Sequence, residues 1–401
     1  MSRFDIILKQ ATLPGGGLAS IGISDGRIAT IETSKKTQES ELEPIELDGA
    51  LVIPGLVEGH CHLDKTFLGD AWRPHRPCSD GFDVAERVTF EKELLAAAAP
   101  VEQRAQALVE LAISQGTTHM RTHVDIDMQA GLSNLEAVVA VRDKYRDAIS
   151  IQIVAFPQGG VIKNPGTDEL LDEAVQQGAD LVGGLDPASF DRDIDGHLDV
   201  VFGIAERRGA GIDIHLHDLD ALGIFQLEQI ALRTKALGMQ GRVAVSHAYA
   251  LGMVQRPVFE RMAGQLAESG VAIMTNAPGN VDFPLIIPLR EAGVTVFTGN
   301  DNIRDSWWPY GDADMLERAM IVGYRSGFYT DDELSIAFDL ATYSGAHVLG
   351  VKDYGLHVGA VADLVVLEAR NIAEAVVARP PRRYVFKAGR IVARDGQFLA
   401  N

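Results

Sequence analysis

Two His-x-His pairs are the residues of this chain best suited to chemistry. His60 and His62 follow a short apolar run, and His215 and His217 follow another. Because side chains alternate faces along a strand, both histidines of a pair point to one side, and Cys61 points away from His60 and His62. Imidazoles that converge at a strand end are typical ligands of zinc and similar divalent ions. The pairs therefore predict a metal site.

Three nitrogen ligands and one carboxylate would suit a borderline divalent metal and leave room for water. We expect His60, His62 and His215 to supply the nitrogens, and Asp301 to supply the oxygen from across the fold. The competing roles are a core histidine for His215 and a helix N-cap for Asp301. Two-metal versions of such sites usually need a bridging lysine after the fourth strand, where this chain has Gly-Gly-Leu-Asp at 183–186. The sequence therefore predicts one divalent metal ion per chain.

Hydrolysis at such a site also needs groups that move protons. A metal ion lowers the pKa of bound water so that hydroxide forms near neutral pH, and a proton must then reach the leaving group. We expect His247 to polarise that hydroxide and Asp218, three residues after His215, to carry the proton. Asp301 can also accept a proton while it is bound to the metal. The alternatives are a packing role for His247 and a structural cap for Asp218.

These polar residues lie at the ends of a regular series of strands. Eight apolar strand candidates alternate with helical patterns, near 51–58, 118–125, 149–156, 180–185, 211–217, 241–247, 270–275 and 294–300. Eight strand–helix units favour an α/β fold with a closed (β/α)8 TIM barrel, in which catalytic residues collect at the C-terminal strand ends. The alternative is an open doubly wound sheet, but no Gly-x-Gly-x-x-Gly turn follows the first strand.

The two ends of the chain differ from its middle. Short β-branched runs separated by Gly and Asp turn signals occur over 4–50 and again over 362–392. This pattern predicts one small β-sandwich domain formed by residues 1–54 and 352–401, with the metal-dependent hydrolase barrel at 55–351.

Composition argues against several classes of partner. The net charge of −20 repels phosphate backbones, so no nucleic acid polymer is expected as a partner. No apolar stretch is long enough to cross a membrane, and the first residues do not resemble a signal peptide. Cys61 and Cys78 are too few for a disulfide framework. We expect a cytoplasmic homo-oligomer that acts on a small molecule and has no membrane partner.

Four stretches carry a resemblance to a known family, and they occur in order along nearly the whole chain. They are 54–64 around the first histidine pair, 151–158, the Ser-His pair at 246–247, and 301–309. The chain resembles the amidohydrolase superfamily and, within it, the cytosine deaminase group. The resemblance implies a mononuclear site at the four predicted ligands, with zinc favoured over iron, and His247 as the catalytic histidine. It also implies that Gln158 hydrogen-bonds the substrate ring amide and that Trp307 lies near the pocket.

Three departures from that group bear on the substrate. Cytosine deaminases carry Glu where this chain has Asp218, Asp where it has His217, and a second Asp where it has Asn302. The shorter Asp218 side chain must come closer to the substrate or use a water. Asn302 lacks the charge that would otherwise pair with a ring N–H. The stretches 121–125 and 183–188 instead resemble triazine-degrading aminohydrolases of the same group.

The remaining substrate candidates have open roles. Lys65 and Asp186 are expected either to form an ion pair under the pocket or to touch the substrate. His217 faces the same side as His215 and is expected to line the pocket or to support a ligand. Residues 70–82 lack periodicity and are expected to form either a lid over the pocket or an ordinary surface loop.

Together these features predict a metal-dependent aminohydrolase. Metal-bound hydroxide would remove an exocyclic amino or alkylamino group from a pyrimidine or s-triazine ring, as in cytosine or ammelide. Gln158 and other orienting groups would choose the ring, since buried polar groups reject analogues that leave them unpaired. One alternative is hydrolysis of a cyclic amide such as a hydantoin, by enzymes that usually hold two metals. A non-catalytic metal scaffold is the other alternative, and His247 and Asp218 argue against it.

Overall fold

Two sheets organise the chain in a computed structural model that describes residues 4–33, 43–80 and 83–400. The N-terminal segment contributes five short strands: β1 (Ile6–Thr12), β2 (Leu18–Ser24), β3 (Arg27–Glu32), β4 (Ile45–Glu46) and β5 (Leu51–Pro54). Gly and Asp turns separate several of them, as in the turn between β2 and β3, where Asp25 and Gly26 both have positive φ angles.

Eight further strands form the second sheet: β6 (Leu56–Cys61), β7 (Thr117–Asp125), β8 (Ser150–Phe156), β9 (Leu181–Leu185), β10 (Gly211–Leu216), β11 (Val243–His247), β12 (Ala272–Thr275) and β13 (Val296–Thr298). They are parallel and neighbour one another in chain order. The backbone N–H of Asp301 donates to the carbonyl of His60 at 2.7 Å, which joins the last strand to the first. The predicted (β/α)8 TIM barrel is therefore confirmed.

Helices lie between and after the barrel strands. They are α1 (Val84–Leu95), α2 (Val101–Ser114), α3 (Ser133–Tyr145), α4 (Thr167–Gln176), α5 (Ile194–Arg208), α6 (Asp220–Ala236), α7 (Arg256–Ser269), α8 (Ile286–Glu291), α9 (Met315–Ser326), α10 (Asp331–Leu340) and α11 (Tyr343–Val348). Helix α5 shows why such segments are helical. The Asp193 side chain caps its first turn, Gly209 ends it in a left-handed conformation, and residues three or four apart, such as Leu198, Val201 and Phe202, are buried.

The C-terminal segment returns to the first sheet with β14 (Leu364–Leu367), α12 (Ile372–Ala378), β15 (Arg382–Lys387), β16 (Arg390–Arg394) and β17 (Gln397–Phe398). Strand β14 pairs antiparallel with β5, so that strands from both chain ends are hydrogen-bonded in one continuous mixed sheet of nine strands. The expected contribution of both termini to one small β-rich unit is thus confirmed. Its proposed boundaries, at 54 and 352, stay a prediction.

The first predicted barrel strand, 51–58, has different bounds in the structure. It divides at Gly55 into β5, which belongs to the mixed sheet, and β6, which begins the barrel and ends at the first histidine pair. The join between β6 and β13 also requires a glycine. A Cβ at Gly299 would lie 2.4 Å from the backbone nitrogen of His60, so no larger residue fits where the barrel closes beside the predicted site.

Among the described residues, no helix combines the length and apolar character that a membrane crossing requires.

Candidate metal centre and active site

The four predicted metal ligands meet at the C-terminal end of the barrel. His60 lies at the end of β6, His62 follows it, His215 lies on β10, and Asp301 follows β13. One ligand atom from each lies within 4.8 Å of those from the other three, and all four residues are buried. Asp301 Oδ1 is 3.4 Å from His60 Nε2 and 3.3 Å from His62 Nε2. This donor set is suited to one divalent ion.

The protonation and bonding of these histidines fit a bound cation. Burial, with a smaller contribution from Lys65, lowers the pKa of His62 to about 3, and burial lowers the pKa of His215 well below its usual value. Neutral imidazole has a free lone pair for a metal. Both ring nitrogens of His215 are buried and have no hydrogen-bond partner in the part of the chain that the structure describes. Since buried polar atoms without partners are costly, a metal bound here would satisfy one of them.

A buried chain of hydrogen bonds fixes the orientation of His60. Its Nδ1 lies 2.9 Å from the hydroxyl of Ser246, which donates to Asp213 Oδ1 at 2.7 Å. Because the serine hydrogen goes to the carboxylate, the serine oxygen accepts the Nδ1–H of His60 and leaves Nε2 free to bind metal. Arg121 donates to the other oxygen of Asp213 at 2.8 Å. These hydrogen bonds thus select the Nδ1–H tautomer of His60, which is the one that a metal ligand at Nε2 needs.

Removal of this support should weaken metal binding. We expect Ser246→Ala to lower metal affinity about 10- to 100-fold, because His60 loses the acceptor that holds its tautomer and ring orientation. The measurement is a competitive chelator titration of the purified protein. Ser269→Ala is the matched control, since Ser269 is also buried and its hydroxyl donates to a backbone carbonyl in α7, outside the site. Equal affinities for the two variants would show that Ser246 does not support the ligand.

Glu58 and Asn276 position the loop that carries Asp301. Glu58 Oε1 accepts from the backbone nitrogens of His60 at 3.1 Å and Asn300 at 2.8 Å. Burial raises the pKa of Glu58 to about 7, although Asn300 partly opposes the shift. Asn276 Nδ2 donates to Asp301 Oδ2 at 2.9 Å, which leaves Oδ1 directed at the histidines. Asp301 itself has a φ of 62°, a left-handed conformation that surrounding contacts must maintain.

His247 lies beside the predicted ligands but is not in their cluster. Its ring centroid is 5.1 Å from that of His215 and 5.3 Å from that of His60. Both its ring nitrogens are buried without a hydrogen-bond partner among the described residues. Burial lowers its pKa well below the usual value, so the ring is neutral. A neutral imidazole here can hydrogen-bond a water or a reacting group near the ligands.

The two histidines of the second pair, His215 and His217, have different contacts. His215 points into the metal cluster, whereas the ring of His217 stacks on His247 at 4.5 Å. The Nδ1 atom of His217 lies 2.8 Å from Asp186 Oδ2. Burial opposes the charged form, but the nearby carboxylates, Asp186 foremost and then Asp301 and Asp218, together outweigh burial and raise the pKa of His217. Asp186 is therefore paired with His217, and Lys65 instead lies 3.0 Å from Asp125 Oδ1, so the ion pair considered between Lys65 and Asp186 does not form.

A pocket adjoins the metal cluster and His247. Among the residues that line it are five of the six predicted substrate residues: Lys65, Gln158, His217, Asn302 and Trp307. The sixth, Asp186, and the predicted proton carrier Asp218 line an adjoining cavity of about 700 Å³, whose wall also includes His217, Asn302 and Trp307. The predicted residues therefore gather at one end of the barrel, around two spaces that share lining residues.

Asp218 has fixed partners in the adjoining cavity. Its Oδ2 accepts from Gln226 Nε2 at 2.8 Å and from the backbone nitrogen of Ser189 at 3.3 Å. Gln226 lies two turns further along the chain, on the buried side of α6. These two donors thus hold the carboxylate in the wall of the cavity.

Helix α1 contributes residues that sequence reasoning missed. It follows the segment 70–82, of which residues 81 and 82 lie outside the described part of the chain. Its Glu91 is 1% exposed and contacts both Gln158 and Trp307. Burial raises the pKa of Glu91, while Lys65, whose Nζ lies 3.7 Å away, opposes the shift. Helix α1 therefore contacts two residues of the pocket, while the lid or loop role expected of 70–82 stays a prediction.

A family model described as "Amidohydrolase family" matches residues 43–393, which is most of the chain. The chain belongs to the amidohydrolase family. Within it, the chain is 32% identical over 409 residues to N-isopropylammelide isopropyl amidohydrolase of Pseudomonas sp. strain ADP, covering 99% of each protein. The resemblance inferred from the sequence motifs is thereby confirmed.

Solved structures of amidohydrolase relatives agree with this assignment. N-isopropylammelide isopropylaminohydrolase from Burkholderia multivorans ATCC 17616 superposes with a TM-score of 0.93 at 43% identity, covering 98% of this chain and 99% of the other. The 5-methylcytosine deaminase from Klebsiella pneumoniae, liganded with 5-fluorocytosine, has a TM-score of 0.86 at 27% identity, covering 99% and 98%. The chain is thus similar along its whole length to an N-isopropylammelide isopropylaminohydrolase and to a 5-methylcytosine deaminase.

Two supporting residues of this amidohydrolase had a readable signal in the sequence. Glu58 and Asp213 each lie two positions before a predicted ligand, His60 and His215, and so share its strand face. A carboxylate on the face of a metal-binding histidine is a candidate for orienting it. Glu91 had no such signal, because its position on α1 relative to the pocket depends on how the loop after β6 folds back.

Proposed function

We propose that this amidohydrolase hydrolyses the exocyclic C–N bond of an amino-substituted pyrimidine or s-triazine and releases ammonia or an alkylamine. The observation that carries the proposal is the convergence at one end of the barrel of the four predicted metal ligands, two side-chain amides and His247, whose ring nitrogens have no hydrogen-bond partner among the described residues. The relatives, an isopropylaminohydrolase and a deaminase by name, support this reaction class over hydrolysis of a cyclic amide.

His60, His62, His215 and Asp301 would hold one divalent ion, for which we propose zinc. When bound, such an ion supplies a Lewis acid and lowers the pKa of a coordinated water. We further propose a cytoplasmic homo-oligomer, on the basis of the sequence.

Other functions, namely proton transfer, hydrogen bonding to the substrate and exclusion of water, would be carried out by side chains around the metal site. His247 can accept a proton, or hold a reacting oxygen by a hydrogen bond, at a ring nitrogen that no described residue hydrogen-bonds. Asp301 Oδ1 lies among the ligands and can share that proton. His217, whose pKa Asp186 raises, can donate a hydrogen bond to a ring oxygen or nitrogen. Phe156, stacked 4.1 Å from the ring of His215, helps to exclude water from the cluster.

Asp218 would take up one proton of the attacking water and pass it to the departing amine, so that the C–N bond breaks as the C–O bond forms. Its position in the cavity of about 700 Å³ leaves space beside the pocket for a leaving group larger than ammonia. This geometry favours an alkylamino-substituted ring of the ammelide type over cytosine. The shorter side chain, Asp where cytosine deaminases carry Glu, agrees with a reaction that takes place nearer the cavity.

A panel of rings tests the proposal. The protein loaded with zinc, and separately with iron, is incubated with cytosine, isocytosine, N-isopropylammelide and hydantoin, while amine release and metal content are measured. We expect amine release, fastest from the alkylamino triazine, with about one metal per chain. Chelator-treated protein is the control. Release of no amine from any ring would reject the proposal, and turnover of hydantoin alone would favour the cyclic amide alternative.

A further inference from the structure

A buried carboxylate on α1 holds two side chains of the pocket at once. Glu91 Oε1 accepts a hydrogen bond from Gln158 Nε2 at 2.6 Å, and Glu91 Oε2 accepts one from the indole Nε1 of Trp307. The same helix holds the Trp307 loop by its backbone, since Arg87 donates to the carbonyls of Ser306 and of Trp307, the latter at 2.9 Å. Helix α1 therefore fixes two pocket walls that come from distant parts of the chain.

The contact with Glu91 decides which end of the Gln158 amide meets the pocket. Both oxygens of Glu91 act as acceptors, one for Gln158 Nε2 and the other for the Trp307 indole, so the NH2 end of the amide and not the carbonyl end faces Glu91. The carbonyl oxygen Oε1 of Gln158 is thus the atom turned away from Glu91, on a side chain that lines the pocket.

The amide of Asn302 has the same orientation as that of Gln158, with its NH2 group bound to a carboxylate. Its Nδ2 donates to Asp305 Oδ2 at 2.7 Å, so its carbonyl oxygen is also the end left for a ligand. The backbone nitrogens of Trp307 and Trp308 donate to Asp305 Oδ1 at 2.8 and 2.9 Å, which keeps this carboxylate in place. Two amides on different loops therefore present acceptors to one pocket.

We propose that Glu91 is a positioning residue that sets the substrate specificity of this site. By fixing the Gln158 amide and the Trp307 indole, it makes the pocket select rings that donate N–H groups, in the lactam form, and reject rings whose nitrogens are alkylated. This inference rests on the proposed function, because it takes a nitrogen heterocycle as the ligand.

Substitution of Glu91 by glutamine should reverse the orientation of the Gln158 amide. The new carboxamide has one acceptor and one NH2 group. The Trp307 indole can only donate, so it takes the acceptor, and the NH2 group then faces Gln158, which must turn its own carbonyl toward it. Gln158 would consequently present a donor to the pocket, where the wild type presents an acceptor.

The test is a binding measurement, which does not depend on turnover. Calorimetry with the metal-loaded protein compares cyanuric acid, which has three ring N–H groups, with its tri-N-methyl derivative. We expect the wild type to prefer cyanuric acid, and Glu91→Gln to weaken cyanuric acid binding about tenfold with no loss of metal. Binding of the methylated ring should not weaken, so the preference shrinks. A merely structural role for Glu91 would weaken both rings alike.

Two further variants keep the test decisive. Glu93→Gln makes the same change on the same helix at an exposed residue, paired with Arg76 at 2.5 Å, and should bind like the wild type. Gln158→Met removes the amide itself and should lose the preference to the same degree, even if Glu91→Gln fails to fold. The inference is overturned if the wild type binds both rings equally. It is also overturned if the preference for cyanuric acid over the methylated ring is as large in Glu91→Gln or in Gln158→Met as in the wild type. The proposed function fails separately, by the absence of amine release in the ring panel.

Discussion

Replacement of His247 by asparagine should leave the metal bound and lower kcat/KM about 10²- to 10⁴-fold. The metal is expected to stay because His247 lies outside the group of four ligand atoms that approach within 4.8 Å of one another. The turnover should fall because asparagine offers a hydrogen bond but cannot accept a proton near neutral pH. His247 has a φ of 74°, and asparagine tolerates this left-handed conformation better than most residues, so the backbone should survive the change.

Steady-state kinetics and metal analysis of the same preparation check this prediction. His357→Asn is the control, since His357 is exposed and lies far along the chain from the barrel strands. A variant that keeps its metal and its full turnover would remove His247 from the mechanism. A variant that loses its metal would instead show that His247 acts as a ligand.

The barrel was predictable because its signals are local. A parallel strand that is covered on both sides reads as a short apolar run, and a polar residue just after such a run marks the functional end of the barrel. His60, His215 and Asp301 could therefore be assigned to one site without knowledge of their distances. The bounds of the first strand were less accessible, because Leu51–Pro54 and Leu56–Cys61 are both apolar and only the sheet pairing separates them at Gly55.

The residues that orient the site were harder to predict, for a physical reason. A ligand is recognised by its own chemistry, whereas Ser246 and Glu91 act through hydrogen bonds whose partners lie far away in sequence. Glu91 contacts residues 67 and 216 positions away along the chain. The ion-pair partners of Lys65 and Asp186 could not be predicted for the same reason. Several carboxylates and cations surround the pocket, and which of them pair depends on how the side chains pack.

Replacement of His215 by alanine should abolish stoichiometric metal binding and lower kcat/KM about 10³-fold or more, since it removes a nitrogen ligand and the activation of water that depends on the ion. Stability gives a second readout that needs no turnover. A metal that binds only the folded state adds about 2.7 kcal/mol at a free concentration a hundred times its Kd, so metal should raise the Tm of the wild type and not that of the variant.

The matched control for this prediction is His123→Ala, because a second group of possible ligands, formed by His60, His123 and Asp213, lies in the same barrel. We expect this variant to keep its metal. Both oxygens of Asp213 are already engaged, one by the hydroxyl of Ser246 and the other by Arg121, so that carboxylate is committed to orienting His60. If His123→Ala loses the metal and His215→Ala retains it, the metal binds to the second group of ligands, and the role of His215 is packing.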